Sequence, residues 1–193
     1  MVHFIVCRGT SLSVRICFIA IIGFVLLSCV GGCKARSGLN PGELAPYFDL
    51  RDLSGKKVSR DDLAGKATVL SFWASWCEPC IRELPALERL NSILASRGGR
   101  VISIGIDDSR ANLLKVVNSS GITFPVLIDE MGLAKRRYQV KGVPETFLLS
   151  RENRIVALAS PGASIGNIEV RLTGPREWDE RRTVDLIVSA LGL

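Results

Sequence analysis

Apolar residues run almost unbroken from Ala67 to Trp73, and directly after them Ile81, Leu84, Leu87, Leu90 and Leu94 recur at steps of three and four. A short continuous run predicts a strand covered on both faces, and the spacing that follows predicts an amphipathic helix over Ile81 to Leu94. Gly98-Gly99 marks the end of that helix, and Pro85 inside it predicts a kink in its first turns. Further on, Val101 to Ile106 reads as a second buried strand and Ser109 as the cap of a helix reaching about Asn118. Phe124 to Ile128 reads as a strand, Gly132 to Tyr138 as a short helix, and Glu145 to Leu149 with Ile155 to Ala159 as a hairpin turned at Glu152-Asn153. Upstream, Tyr47 to Leu50 and Lys56 to Val58 suggest an N-terminal hairpin around Ser54-Gly55, with a helical turn from Arg60 to Leu63 ahead of Gly65. Glu177 to Leu191 closes the chain as an amphipathic helix, and Ser160 to Gly174 before it is a long loop or insertion. Strands alternating with amphipathic helices predict an α/β layered architecture, a mixed central sheet flanked by helices.

The first 33 residues follow a different pattern. Arg8 and Arg15 precede an uncharged run from Ile16 to Cys33, which is the layout of an export signal. Leu26-Leu27-Ser28-Cys29 and Val30-Gly31-Gly32-Cys33 each place a small residue before a cysteine, so Cys29 and Cys33 are both candidates for acylation after lipoprotein-type cleavage. As a helix the run spans about 27 Å, so an uncleaved membrane anchor is the second reading and a released soluble form the third. Either tether places the rest of the chain at the bacterial cell envelope, outside the cytoplasm. Residues 34–46, with Gly38, Pro41, Gly42 and Pro46, read as a linker, and 47–193 as one domain. The chain carries a formal charge of +6, of which Arg8 and Arg15 supply two. The remaining basic residues are scattered among acids with no aromatic-studded stripe, which argues against nucleic-acid binding.

Chemistry concentrates at Trp76-Cys77-Glu78-Pro79-Cys80, two thiols one helical turn apart where the buried strand hands over to the helix. A helix N-terminus favours a thiolate, because its unpaired N–H groups and macrodipole attract negative charge. Cys7, Cys17, Cys29 and Cys33 all lie in or beside the leader, so only Cys77 and Cys80 remain in the domain, and the single histidine is His3. A structural zinc site needs about four ligands, and haem attachment needs a histidine where Ile81 stands. No metal or other cofactor is therefore expected beyond a redox-active Cys77-Cys80 disulfide. Cys77 is expected to attack and Cys80 to resolve the mixed disulfide. Pro79 suits a first helical turn. Glu78 opposes the thiolate locally but also places favourable charge in that turn. Glu83 falls on the side of the helix that carries Cys80. Trp76 is positioned to shield the pair or shape a docking surface, whereas Trp73 reads as core.

The same chain carries Ala45-Pro46-Tyr47-Phe48-Asp49-Leu50, the segment Val69 to Cys77, Val140-Lys141-Gly142-Val143-Pro144-Glu145-Thr146-Phe147-Leu148, and Gly174 to Asp179 with Trp178. With these motifs it resembles the TlpA/ResA-like family of thioredoxin-fold thiol-disulfide oxidoreductases over roughly Pro41 to Leu193. The resemblance implies a thioredoxin-like fold and a cis Val143–Pro144 bond facing the cysteines, with the Val143 backbone exposed for pairing to a peptide. It also implies that Glu83 assists proton movement. Its expected partners are exported protein thiols or disulfides such as apocytochrome c, and a membrane-embedded electron donor. Direction is open at this level, because CxxC thioredoxin-fold proteins span about −270 to −120 mV. A reductant is the resemblance's reading, and a disulfide-forming oxidant is the alternative. A thiol peroxidase is disfavoured by Ala74, where a peroxiredoxin site would place threonine, and a copper-binding module by the missing histidine. The stretch Pro161 to Leu172 is longer than the family pattern and is expected to alter partner choice.

Overall fold

The computed structural model describes residues 39–106, 109–159 and 168–193. The leader, with Cys29 and Cys33, lies outside the described residues. No helix among those described is long and apolar enough to cross a membrane.

The sheet is built outward from β3 (Ala67–Trp73), every residue of which is buried. It pairs in parallel with β4 (Gly99–Gly105) and antiparallel with β6 (Glu145–Leu149), so the sheet is mixed. β5 (Val126–Ile128) extends it beyond β4, and the hairpin β1 (Asp49–Asp52) and β2 (Lys57–Ser59) completes that side. On the other side β7 (Ile155–Val156) and β10 (Leu172–Thr173) both pair with β6. A separate ribbon joins β8 (Leu158–Ala159) to β9 (Ile168–Glu169). Among the described residues four α-helices cover the sheet: α1 (Glu78–Ala95), α2 (Arg110–Ser120), α3 (Leu133–Arg137) and α4 (Arg181–Leu191).

Alternation within β3 explains why an unbroken apolar run was needed. Ala67, Val69 and Trp73 point into the cluster formed with Leu84, Leu87 and Leu90 of α1 and Ile187 of α4. Leu70 and Phe72 point the other way, to Phe48, Ile104, Tyr138 and Phe147. Each large side chain buried in this way contributes on the order of 2 kcal/mol. Tyr138 lies 5.2 Å from both the Phe72 and the Phe147 ring, at tilted and edge-on angles that suit aromatic quadrupoles.

Several element ends differ from the sequence pattern, each for a pairing reason. β1 begins at Asp49 instead of Tyr47 because Arg51 and Asp52 pair with β5, while Phe48 is drawn into the core. Its turn is tied by the Asp52 carboxylate, which accepts from the Ser54 N–H at 2.8 Å and the Lys56 N–H at 3.0 Å. β5 begins after Pro125, which has no N–H to donate; its carbonyl accepts from the Ser103 N–H at 2.9 Å. α1 is continuous through Pro85. α3 is held by the Asp129 carboxylate, which accepts from the Ala134 and Lys135 N–H groups at 3.1 and 2.7 Å. α4 starts at Arg181 because the residues before it tuck Trp178, fully buried, against the core. Residues 42–45, at the end of the segment read as a linker, are attached to the domain: Gly42 and Ala45 donate to Ile155 and Asn153 carbonyls, both at 2.8 Å.

Candidate functional site

Cys77 and Cys80 form a disulfide, with sulfurs 2.09 Å apart and Cα atoms 5.3 Å apart. Cys77 is the N-cap of α1 in extended conformation, and its sulfur accepts from the Cys80 N–H at 3.3 Å. That donor, together with the helix dipole, is aimed at the sulfur where negative charge develops when the bond opens. Burial separates the two cysteines: Cys77 keeps 5% exposure and Cys80 none. An incoming sulfur therefore meets Cys77. Pro79 sits in the first turn, where its missing N–H costs nothing.

The peptide bond between Val143 and Pro144 is cis. The loop that carries it, ahead of β6, brings the Val143 carbonyl to 3.6 Å from the Cys77 sulfur. In the disulfide this is a packing contact, since neither sulfur carries a proton; after reduction the thiol can donate to that oxygen.

The flanking residues fall into place unequally. Trp76 is 70% exposed, while Trp73 is buried and donates its indole N–H to the Ser103 hydroxyl at 3.1 Å. Glu78 points into solvent and pairs with Arg82 at 2.6 Å, one turn on. That cation offsets the repulsion Glu78 exerts on a Cys77 thiolate, although a pair this exposed stabilises little. Glu83 is 4% exposed, on the turn after Cys80. Burial pushes its carboxyl up to about 7. The Arg176 N–H, which donates to one carboxylate oxygen at 3.1 Å, and the Arg176 charge pull the other way. The Trp178 indole faces the same carboxyl and favours its ionised form without reaching hydrogen-bond geometry, and the other oxygen has no hydrogen-bond partner among the described residues. A buried carboxyl titrating near neutrality can hold or release a proton at physiological pH.

Arg176 and Arg171 were not among the candidates from the sequence. Both lie in or just after the irregular stretch before α4, where no periodicity marks which residues turn inward. Among the described residues, no group of three or more His, Cys, Asp or Glu side chains is arranged to hold a metal ion.

A dithiol pair at the start of a helix, facing a cis-proline loop on a mixed sheet flanked by helices, defines a thioredoxin-fold thiol-disulfide oxidoreductase. The chain belongs to the AhpC/TSA family, whose model matches residues 41–158. Thiol-disulfide oxidoreductase ResA of Bacillus subtilis (strain 168) is 30% identical over 142 residues, covering 74% of this chain and 78% of that protein. Thioredoxin-like protein YneN of the same strain is 35% identical over 125 residues, covering 63% and 72%. A crystal structure from Chlorobium tepidum, provisionally described as thiol:disulfide interchange protein DsbE, superimposes with a TM-score of 0.67 at 28% identity. It covers 80% of this chain and the whole of that one.

Proposed function

We propose that this chain is an extracytoplasmic, membrane-tethered oxidoreductase that reduces disulfides in exported proteins, apocytochrome c among them, using electrons from a membrane-embedded donor. The observation that carries the redox step is the Cys77–Cys80 disulfide at the N-terminus of α1, with its more accessible sulfur facing the Val143 carbonyl. The export-type leader over residues 1–33, with a lipidation candidate at Cys29 or Cys33, supports the tether and the envelope location, and residues 34–46 join it to the domain at 47–193.

In the reaction, the Cys77 thiolate attacks one sulfur of a client disulfide and displaces the other as a thiolate, which takes up a proton. Cys80, deprotonated with Glu83 as the proton acceptor, then attacks Cys77 in the mixed disulfide. The client leaves with two thiols, and the Cys77–Cys80 disulfide forms again, so the two electrons the client gains come from the dithiol. Glu78, Pro79 and Trp76 support the pair through charge, backbone restraint and client contact, and Val143 with Pro144 presents backbone to the client.

Replacing Cys80 by Ala removes the resolving thiol, so clients remain captured on Cys77. Mass spectrometry of captured proteins from the native envelope is expected to find apocytochrome c or another exported cysteine protein. Absence of any mixed disulfide on reduced Cys80→Ala would sink the exchange mechanism.

A further inference from the structure

β7 and β10 are two halves of one interrupted edge strand. Val156 faces Leu148 of β6 and Leu172 faces Thr146. The two β6 positions are two residues apart while their partners are sixteen apart, so pairing to β6 is interrupted between the halves; residues 160–167, which hold most of the stretch from Pro161 to Leu172, lie outside the described residues. The strand returns beside the redox pair: Thr173 lies opposite Glu145, and the Gly174 N–H donates to the Pro144 carbonyl at 3.0 Å.

Arg171 stands at that point of return. Its guanidinium donates to the Glu145 carboxylate at 3.0 Å, to the Gln139 carbonyl at 2.6 Å and to the Gln139 side-chain oxygen at 3.3 Å. It also lies 5.8 Å above the Phe147 ring. Glu145 is 2% exposed, and its second oxygen accepts from the Lys141 N–H at 3.2 Å. Gln139 sits at φ 51°, a left-handed conformation that a side chain such as glutamine adopts only when held. One cation thus fastens residues 139 and 145, the two ends of the loop that carries Val143 and Pro144. A planar fork of donors suits this task, and an ammonium group cannot reach both ends in the same way.

We propose that Arg171 is a positioning residue for polypeptide clients, fixing the Gln139–Glu145 loop so that the Val143 backbone stands ready beside Cys77. The proposal rests on the reading of Cys77–Cys80 as the exchanging pair. Strand-like pairing with Val143 requires backbone donors and acceptors held in register, whereas a small disulfide reaches Cys77 without using them. Arg171 therefore governs discrimination between the two kinds of substrate, and reaches the sulfur chemistry only through the long Val143 carbonyl contact.

The test compares second-order rate constants of the reduced full chain, in detergent, toward a disulfide-bonded peptide and toward hydroxyethyl disulfide. The variants are Arg171→Lys and the double variant Arg171→Met with Glu145→Gln, which removes both charges of the buried pair so that neither is stranded. In the double variant the peptide constant is expected to fall about tenfold, with the hydroxyethyl disulfide constant within about twofold of wild type. Lysine, keeping the charge but not the fork, is expected to fall between. Thermal midpoints taken in parallel report stability, which does not change the ratio of the two constants. A ratio unchanged in the double variant, or both constants falling together, overturns the proposal. Wild type inert toward both substrates overturns the exchange reading and this inference with it.

Discussion

Cys77 and Cys80 are one helical turn apart, and that turn gives them different surroundings: a partly open N-cap for the first, a sealed interior for the second. Glu83, a further turn inward, is where the cost of this arrangement falls. An ordinary carboxyl with a pKa of 4.5 is carried to about 7 by burial. Between those values the folded protein retains a proton that the unfolded chain has released, so stability falls as pH rises through this window. The penalty is absent below about 4.5 and complete above about 7. The size is on the order of 3 kcal/mol. Glu83→Gln is expected to lose that slope, measured as the difference between its urea unfolding free energies and those of wild type at pH 4.5 and 7.5. Parallel dependence in the two proteins would refute the burial argument. The Cys77–Cys80 pair was legible because its spacing is local. Glu83 was legible as a position on the helix, but its burial depends on Trp178 and the Arg176 backbone, distant in sequence.

At the scale of elements, α2 is a peripheral helix with one fully buried side chain and with Val116 and Val117 partly buried against the same core. Leu113 is its buried residue, and it packs on the end of β4. A methyl group on Gly105 would meet the Leu113 Cδ1 and Cδ2 atoms at 2.5 and 2.6 Å, closer than atoms tolerate. Gly105→Ala is therefore expected to cost about 1 to 3 kcal/mol and to loosen α2 first. Thermal unfolding measures the first effect and hydrogen exchange of residues 110–120 the second. Unchanged protection there would show that Leu113 moves aside freely. The long elements, β3, α1 and β4, were predicted from periodicity because each carries enough repeats to declare its geometry. The short ones shifted, since the end of β1 is set by β5 and the start of β5 by Pro125. The interrupted edge strand was not legible: pairing to β6 resumes at Leu172 only because Thr146 and Glu145 leave a vacant edge there.

For the whole molecule, the proposed tether gives the final expectation. Replacing Cys29 and Cys33 together by serine should abolish acylation and alter the processed mass, with the chain leaving the acylated membrane fraction. Envelope fractionation with intact-mass measurement checks this. A mass changed only by the two sulfur-to-oxygen replacements, with an unchanged membrane fraction, would exclude acylation and favour the uncleaved anchor.

By itself the sequence determined the strand-to-helix junction, the dithiol at its start and the α/β class, because these depend on residues close together along the chain and on side-chain periodicity. Tertiary structure decided which distant groups meet at and around the site, the Val143 contact having been expected only through the family resemblance. Val143 stands 66 positions from Cys77, Arg176 stands 93 from Glu83, and Arg171 stands 26 from Glu145. Such encounters arise from sheet order and from the burial that closes around it, and no local pattern of apolar and polar residues encodes them.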